Sequence, residues 1–119
     1  MMELKDKADL FKEEAFEAFE KGRYTLVPFF VEQALQLYIK HILFKNFGDY
    51  PKTHDLRILL QELSDILKIE VVSEQEDVMD LIMTSYIEAR YTPMEYSRKS
   101  AKRALKFLEK FYEAVKDEL

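Results

Sequence analysis

The stretch that decides the fold is residues 29–47, FFVEQALQLYIKHILFKNF, which Gly48 follows. Its apolar residues recur at helical spacing in two neighbouring stripes, and the first stripe begins just upstream of the stretch. The first stripe is Val27, Val31, Leu35, Tyr38 and Ile42, and the second is Phe30, Leu37 and Phe44. A helix that is apolar over most of its circumference packs inside a bundle rather than on its surface. We therefore expect this helix at the centre of the fold.

One polar strip interrupts the apolar surface of this helix. It consists of Gln33, Gln36 and Lys40, with Glu32 at its edge. Residues three and four apart share a helix face, so these side chains point the same way. The rest of the chain must either leave this face in water or build a site over it.

The flanking sequence predicts four further helices with short connections. The first covers roughly residues 3–21 and ends at Gly22, after which Thr25 is a candidate cap for the central helix. The third starts at Thr53 or Asp55 and carries an apolar face of Leu56, Leu59, Leu60, Leu63, Ile66 and Leu67. Residues 73–76 form a capping box for a fourth helix over about 74–90, and residues 68–72 before it are ambiguous. The fifth starts within 94–97 and runs almost to the end. We predict one all-α domain over residues 1–119, an antiparallel up-and-down bundle of about five helices.

Composition excludes several classes of site. The chain has no Cys and only two glycines, so thiolate metal sites, cysteine nucleophiles and glycine-rich phosphate loops are excluded. The two histidines and the carboxylates follow no metal-ligand spacing, and we predict neither a metal nor a cofactor. The formal net charge of −5 argues against general nucleic-acid binding. We find no secretory leader and no membrane span, and therefore expect a cytoplasmic protein.

Three positions combine polar chemistry with a helix end or a polar strip. His54 precedes a helix start, where Asp55 could orient its imidazole toward a ligand; alternatively, Asp55 or Thr53 only caps the helix. Lys40 could meet a phosphate, or it could extend toward solvent while pairing with Glu32 or Gln36. Arg90 and Tyr91 end the fourth helix, where an arginine also stabilises the helix dipole without any ligand.

A basic stripe follows the fifth helix opposite its apolar seam. It consists of Lys99, Lys102, Arg103, Lys106 and Lys110, next to Arg98. Such a stripe is usually the solvated face of a helix, but residues 98–110 could also contact RNA or an acidic protein surface.

Taken in order, these segments resemble the HEPN family (higher eukaryotes and prokaryotes nucleotide-binding). The matching segments are Gly22-Arg23-Tyr24, Glu32-Gln33-Ala34 with Lys40, Thr53-His54-Asp55-Leu56, and Ala89-Arg90-Tyr91 before Pro93. The resemblance covers nearly the whole chain. It implies a helical bundle, commonly a homodimer, that often works with a minimal nucleotidyltransferase partner in a toxin–antitoxin-like pair. It also implies that Lys40, Arg90, His54 with Asp55, and Tyr91 bind a nucleotide beside Gln33 and Gln36.

The chain departs from the ribonucleases of that family. Their motif is an arginine followed by four to six residues and a histidine, whereas no histidine follows Arg90. Without that imidazole, proton transfer from a ribose hydroxyl lacks its usual base at neutral pH. We therefore expect a binding or interaction module without catalytic residues. The alternatives are an atypical ribonuclease toxin that uses His54 and Arg90, and an assembly module without a ligand whose fourth and fifth helices form the dimer face.

Overall fold

The computed structural model describes residues 3–68, 76–91 and 95–119, including the side chains of all these residues except 76 and 86–91. They form five helices: α1 (Leu4–Glu20), α2 (Leu26–Phe47), α3 (Leu56–Leu67), α4 (Glu76–Tyr91) and α5 (Arg98–Val115). A short 3-10 turn, Lys116–Glu118, ends the chain. The predicted all-α bundle is confirmed. Residues 73–75 of the capping box and residues 69–72 of the ambiguous segment fall outside the part of the chain that the structure describes.

Helix α2 lies at the centre of the bundle, as its composition predicted. Every member of the first apolar stripe is fully buried. The second stripe is less enclosed, because Phe30 and Leu37 are half-buried and Phe44 is 53% exposed. Phe47, at the end of α2, is 63% exposed. All residues from 44 to 49 are exposed, so the last turn of α2 projects beyond the helices that pack around it. The expectation that Phe44 packs inside the bundle was therefore wrong.

Helices α1 and α5 pack on one side of α2. Helix α1 runs antiparallel to α2, since Phe11 contacts Phe30 while Asp9, nearer the start of α1, bonds to Tyr38 further along α2. The ring of Tyr38 also meets Phe111 of α5. The predicted seam of α5 is buried at Ala101, Ala104, Leu105, Leu108, Phe111 and Val115, while Tyr112 is half-buried.

The helix ends follow the sequence with one exception. Gly22 and Gly48 both have φ near +75°, the left-handed conformation that ends a helix and that glycine adopts without strain. Thr25 stands at the start of α2, but its hydroxyl makes no cap hydrogen bond. It accepts instead from the backbone N–H of Tyr96, 3.2 Å away, and so joins the start of α2 to the segment before α5. The prediction of a Thr25 side-chain cap was wrong.

Helix α3 lies over another part of α2 and begins at a well-formed cap. The carboxylate of Asp55 accepts from the backbone N–H groups of Arg57 and Ile58. The apolar face of α3 is buried at Leu56, Leu59, Leu60 and Leu63, whereas Ile66 is 37% exposed. The loop between α2 and α3 thus returns the chain to the polar strip of α2.

Candidate functional site

The polar strip of α2 lines a cavity of about 320 Å³ between α2, the start of α3 and α4. Its walls are Glu32, Gln33, Gln36, Leu37, Lys40, His54 and Met83. Four of the seven predicted ligand-binding residues, Gln33, Gln36, Lys40 and His54, therefore meet in one place. The polar strip is therefore not left in water: the rest of the chain forms a pocket over it.

Three polar side chains of this pocket are unusually buried. Glu32 and Gln36 are each 6% exposed, and Lys40 is 9% exposed. Ionisable groups are rarely so buried unless they are paired, because leaving water costs a charge much of its solvation. Yet within the described part of the chain no ion pair joins Glu32 to Lys40. The pocket holds two opposite charges without neutralising them directly.

Gln36 connects the pocket to the start of α3. Its Nε2 donates to the carbonyl oxygen of His54 at 2.6 Å, which holds the segment leading into α3 against α2. Its Oε1 is buried and has no hydrogen-bond partner within the described ranges. A buried acceptor without a donor costs about 1–3 kcal/mol, so a ligand that donates a hydrogen bond to this oxygen would remove that cost.

Lys40 lines the pocket beside the loop between α2 and α3. Burial lowers the pKa of its ammonium group, an effect that the charge of Glu32 opposes and that of Lys52 reinforces. Its Nζ is 5.5 Å from the ring centroid of Tyr50, and Lys52 approaches the same ring at 4.7 Å. Two cations thus face one aromatic ring at this end of the pocket.

Glu32 is the polar lining residue of this pocket that was not among the candidates predicted from the sequence. Burial raises the pKa of its carboxyl, although the Gln36 and Gln33 amides and the charge of Lys40 favour the ionised form. Its Oε2 accepts from Nε2 of Gln33 at 2.7 Å. The signal was present in the spacing, since residues 32, 36 and 40 are four apart and share one helix face. Spacing alone put Glu32 at the edge of the strip defined by Gln33, Gln36 and Lys40, and it does not show how deeply the side chain is buried.

Asp55 is not among the residues that line the pocket. Its carboxylate caps α3 by accepting from Arg57 N–H at 3.0 Å and Ile58 N–H at 3.4 Å. The idea that Asp55 orients the His54 imidazole is therefore not supported, and the alternative that Asp55 caps the helix is what the structure shows. His54 itself is exposed at the pocket rim.

An ion pair between α3 and α4 holds Met83, which forms the wall of the pocket opposite α2. Arg57 Nη2 lies 2.6 Å from Asp80 Oδ1, and its Nη1 lies 3.4 Å from the sulfur of Met83. Met83 thereby faces the polar strip as an apolar wall beside Leu37. The cavity therefore combines a polar floor with apolar sides, which is typical of small-molecule sites.

The remaining predicted residues lie elsewhere or outside the described side chains. Arg90 and Tyr91 end α4, and their side chains are not described. The basic stripe of α5 is exposed, as predicted, and Arg103 in it pairs with Asp77 of α4 at 2.5 Å. Among the described residues no group of three or more His, Cys, Asp or Glu side chains is arranged to hold a metal ion.

Comparison with protein families identifies the family of the chain. A family model for the HEPN domain matches residues 1–118. The chain belongs to the HEPN family. Searches of curated proteins and of solved structures found no significant match. HEPN membership supports a nucleotide-binding or ribonuclease-type module, and the resemblance inferred from the sequence is confirmed.

Within the described residues, no helix combines the length and apolar character needed to cross a bilayer.

Proposed function

We propose that this HEPN chain is a non-catalytic nucleotide-binding module and that its ligand occupies the pocket over the polar strip of α2. The observation that carries the proposal is the burial of Lys40, a cation 9% exposed on the wall of a 320 Å³ cavity. A lysine that only extended to solvent would not line a pocket at this depth. A phosphate group would offset the cost of its burial.

The surroundings of Lys40 support an anion at this end of the pocket. Lys52 and Lys40 both face the ring of Tyr50, and the charge of Lys52 lowers the pKa of Lys40. An anion between two cations relieves their mutual repulsion. Lys52 is 78% exposed and already pairs with Asp49 at 3.4 Å, so its own contribution is weaker than that of Lys40.

The other end of the pocket suits the base or sugar of a nucleotide. Gln33, Gln36 and His54 provide hydrogen-bonding groups there, and Leu37 and Met83 provide apolar surface. In this proposal Lys40 and Arg90 hold phosphate, His54 bonds the base or sugar, and Tyr91 stacks on the base. The roles of Arg90 and Tyr91 rest on the family resemblance alone.

Thermal unfolding with a panel of nucleoside mono- and triphosphates tests the proposal. A ligand at one hundred times its dissociation constant adds about 2.7 kcal/mol to the free energy of unfolding. With about 2.1 cal/mol/K of unfolding entropy per residue, this corresponds to a rise in Tm of about 10 °C. We expect the native chain to show such a shift with at least one nucleotide.

Two lysine variants separate the pocket from general charge effects. Lys40→Met keeps a long unbranched side chain, one atom shorter, but removes its charge, and it should abolish the nucleotide-dependent shift. Lys106→Met makes the same change on the exposed face of α5 and should keep the shift. No shift in the native chain with any nucleotide, or equal shifts in all three proteins, would refute nucleotide binding at this pocket.

We also propose that the module is a homodimer that works with a minimal nucleotidyltransferase in a toxin–antitoxin-like pair. This part rests on the HEPN resemblance. Exposed Phe44 and Phe47 support an assembly role, because large apolar side chains at a surface are often covered by a partner. Light scattering should give twice the mass of the 14.2 kDa chain. A monomer at micromolar concentration would contradict the dimer, and failure of an adjacently encoded nucleotidyltransferase to co-purify would contradict the pair.

An atypical ribonuclease remains the second candidate. It is favoured by the exposed imidazole of His54 at the pocket rim and by the exposed basic stripe of α5. If it were correct, the purified chain would cleave single-stranded RNA without metal, and His54→Ala would remove that activity while Lys106→Met would not. Absence of cleavage by the native chain rules this candidate out.

A further inference from the structure

Two acceptors on the α2 wall of the pocket, the Glu32 carboxylate and Gln36 Oε1, can accept further hydrogen bonds from a ligand. Glu32 is 6% exposed, and its Oε2 accepts a hydrogen bond from Nε2 of Gln33. The neighbouring Oε1 of Gln36 is buried without any partner in the described chain. A ligand that presents adjacent donors would satisfy both groups, whereas one that presents acceptors would be repelled by the carboxylate.

The two ends of the pocket are far enough apart to meet different parts of one nucleotide. Glu32 and Lys40 are eight residues apart on α2, which corresponds to about 12 Å along the helix axis. The acceptor-rich end around Glu32 and the cationic end around Lys40 therefore have opposite electrostatic character. The charge distribution of a nucleotide is complementary to this, with a neutral base at one end and an anionic phosphate at the other.

The bases differ in the donors that they can offer to one carboxylate. Guanine presents an N1–H and an N2 amino group side by side, so that both oxygens of a carboxylate can accept at once. Adenine and cytosine each offer one amino group beside a ring-nitrogen acceptor, and uracil offers one N–H between two carbonyl oxygens. Charge-assisted bidentate pairs are both stronger and more specific than single hydrogen bonds.

We propose that the pocket selects guanine, with the Glu32 carboxylate accepting from N1–H and the N2 amino group while the phosphate of the same nucleotide meets Lys40. The inference rests on the proposed nucleotide-binding function. The unpartnered Oε1 of Gln36 accepts the second N2 hydrogen or a ribose hydroxyl. Glu32 thus acts as the residue that determines base specificity, and its burial without a cationic partner has a functional cause.

Titration calorimetry of the full chain with GMP, IMP and AMP tests this assignment. IMP is the closest comparison for GMP, because its base keeps N1–H but lacks the N2 amino group. Bidentate contacts discriminate between bases by about 1–3 kcal/mol, and about 1.4 kcal/mol corresponds to a tenfold change in affinity. We therefore expect IMP to bind about tenfold more weakly than GMP. AMP should bind at least as weakly as IMP.

A matched pair of variants assigns the preference to one side chain. Glu32→Gln should bring GMP down to the affinity of IMP and AMP, because the amide offers only one acceptor oxygen. Glu109→Gln makes the same change at an exposed position of α5 and should leave the order unchanged. Circular dichroism of both variants checks that they are folded.

The outcomes separate this inference from the function on which it rests. Tighter binding of GMP that Glu32→Gln abolishes supports both. Equal binding of all three nucleotides, tighter binding of AMP, or a GMP preference that survives Glu32→Gln overturns the guanine assignment, while nucleotide binding stands if Lys40→Met still removes it. If none of the nucleotides binds the native chain, the proposed function fails and the inference fails with it.

Discussion

Replacing Tyr38 by Phe tests the main polar contact inside the bundle. Tyr38 is fully buried on α2, and its hydroxyl donates to the carboxylate of Asp9 on α1. Lys5 pairs with the same carboxylate at 2.9 Å. Tyr38→Phe removes one hydroxyl and keeps the ring contacts with Phe111 and Tyr112, so its effect isolates the hydrogen bond.

The expected cost follows from the charge and the exposure of Asp9. Hydrogen bonds to charged groups contribute about 1.5–3 kcal/mol, but the Asp9 side chain is 36% exposed and water can replace part of the contact. We therefore expect a loss of about 1–2 kcal/mol in the free energy of unfolding. With about 2.1 cal/mol/K of unfolding entropy per residue over this chain, Tm should fall by about 4–8 °C.

The loss should depend on pH because it depends on ionised Asp9. Burial alone would raise the pKa of Asp9, but the hydrogen bonds from Tyr38 and Lys5 outweigh it and hold the pKa below its ordinary value. A lowered carboxyl pKa gives stability that is present above the unfolded-state pKa, about 3.9, and is lost as pH falls through the folded-state pKa. The difference in Tm between native and Tyr38→Phe proteins should be full at neutral pH and shrink below about pH 4.

Tyr112→Phe is the matched control, because the Tyr112 ring belongs to the same cluster and its hydroxyl makes no hydrogen bond in the described structure. Thermal unfolding followed by circular dichroism compares the three proteins. If Tyr38→Phe lowers Tm no more than Tyr112→Phe does, or if its effect is unchanged in acid, then the Asp9 contact does not stabilise the bundle as argued.

Three further substitutions test the site and the helix ends. Glu32→Gln should raise Tm at neutral pH. Burial raises the pKa of the Glu32 carboxyl, so the protonated form is favoured in the folded state, and the stability that this gives in acid is lost as the pH rises. A gain in Tm that persists in acid would contradict this. Asp55→Ala should cost about 0.5–2 kcal/mol in urea unfolding, and Asp55→Asn clearly less, because Asn also accepts from the first helical N–H groups; equal losses would show that the cap is not the cause. Gly48→Ala should cost about 1 kcal/mol through backbone strain alone, since nothing lies within 4 Å of an added Cβ, and an unchanged urea midpoint would refute it.

The sequence by itself determined the class of fold and the central helix. Hydrophobic period is a local property, so the apolar stripes of residues 29–47 predicted a buried helix, and the seam of α5 was recognised in the same way. Glycine and cap signals are local too, which is why the ends at Gly22 and Gly48 and the start at Asp55 agreed with the structure. The HEPN resemblance, built from short segments in order, was confirmed by the family match.

Tertiary structure alone decided which polar residues are buried together. A helix pattern tells which side chains share a face, but the depth of Glu32 and Lys40 depends on how α3 and α4 cover that face. The same applies to Thr25, whose hydroxyl accepts from the backbone N–H of Tyr96, a group that only the folded chain brings within reach. Exposure of Phe44 likewise reflects how far α2 extends past its neighbours, a distance that no local pattern encodes. Periodicity fixes direction around a helix axis, whereas burial is set by contacts between segments distant in sequence.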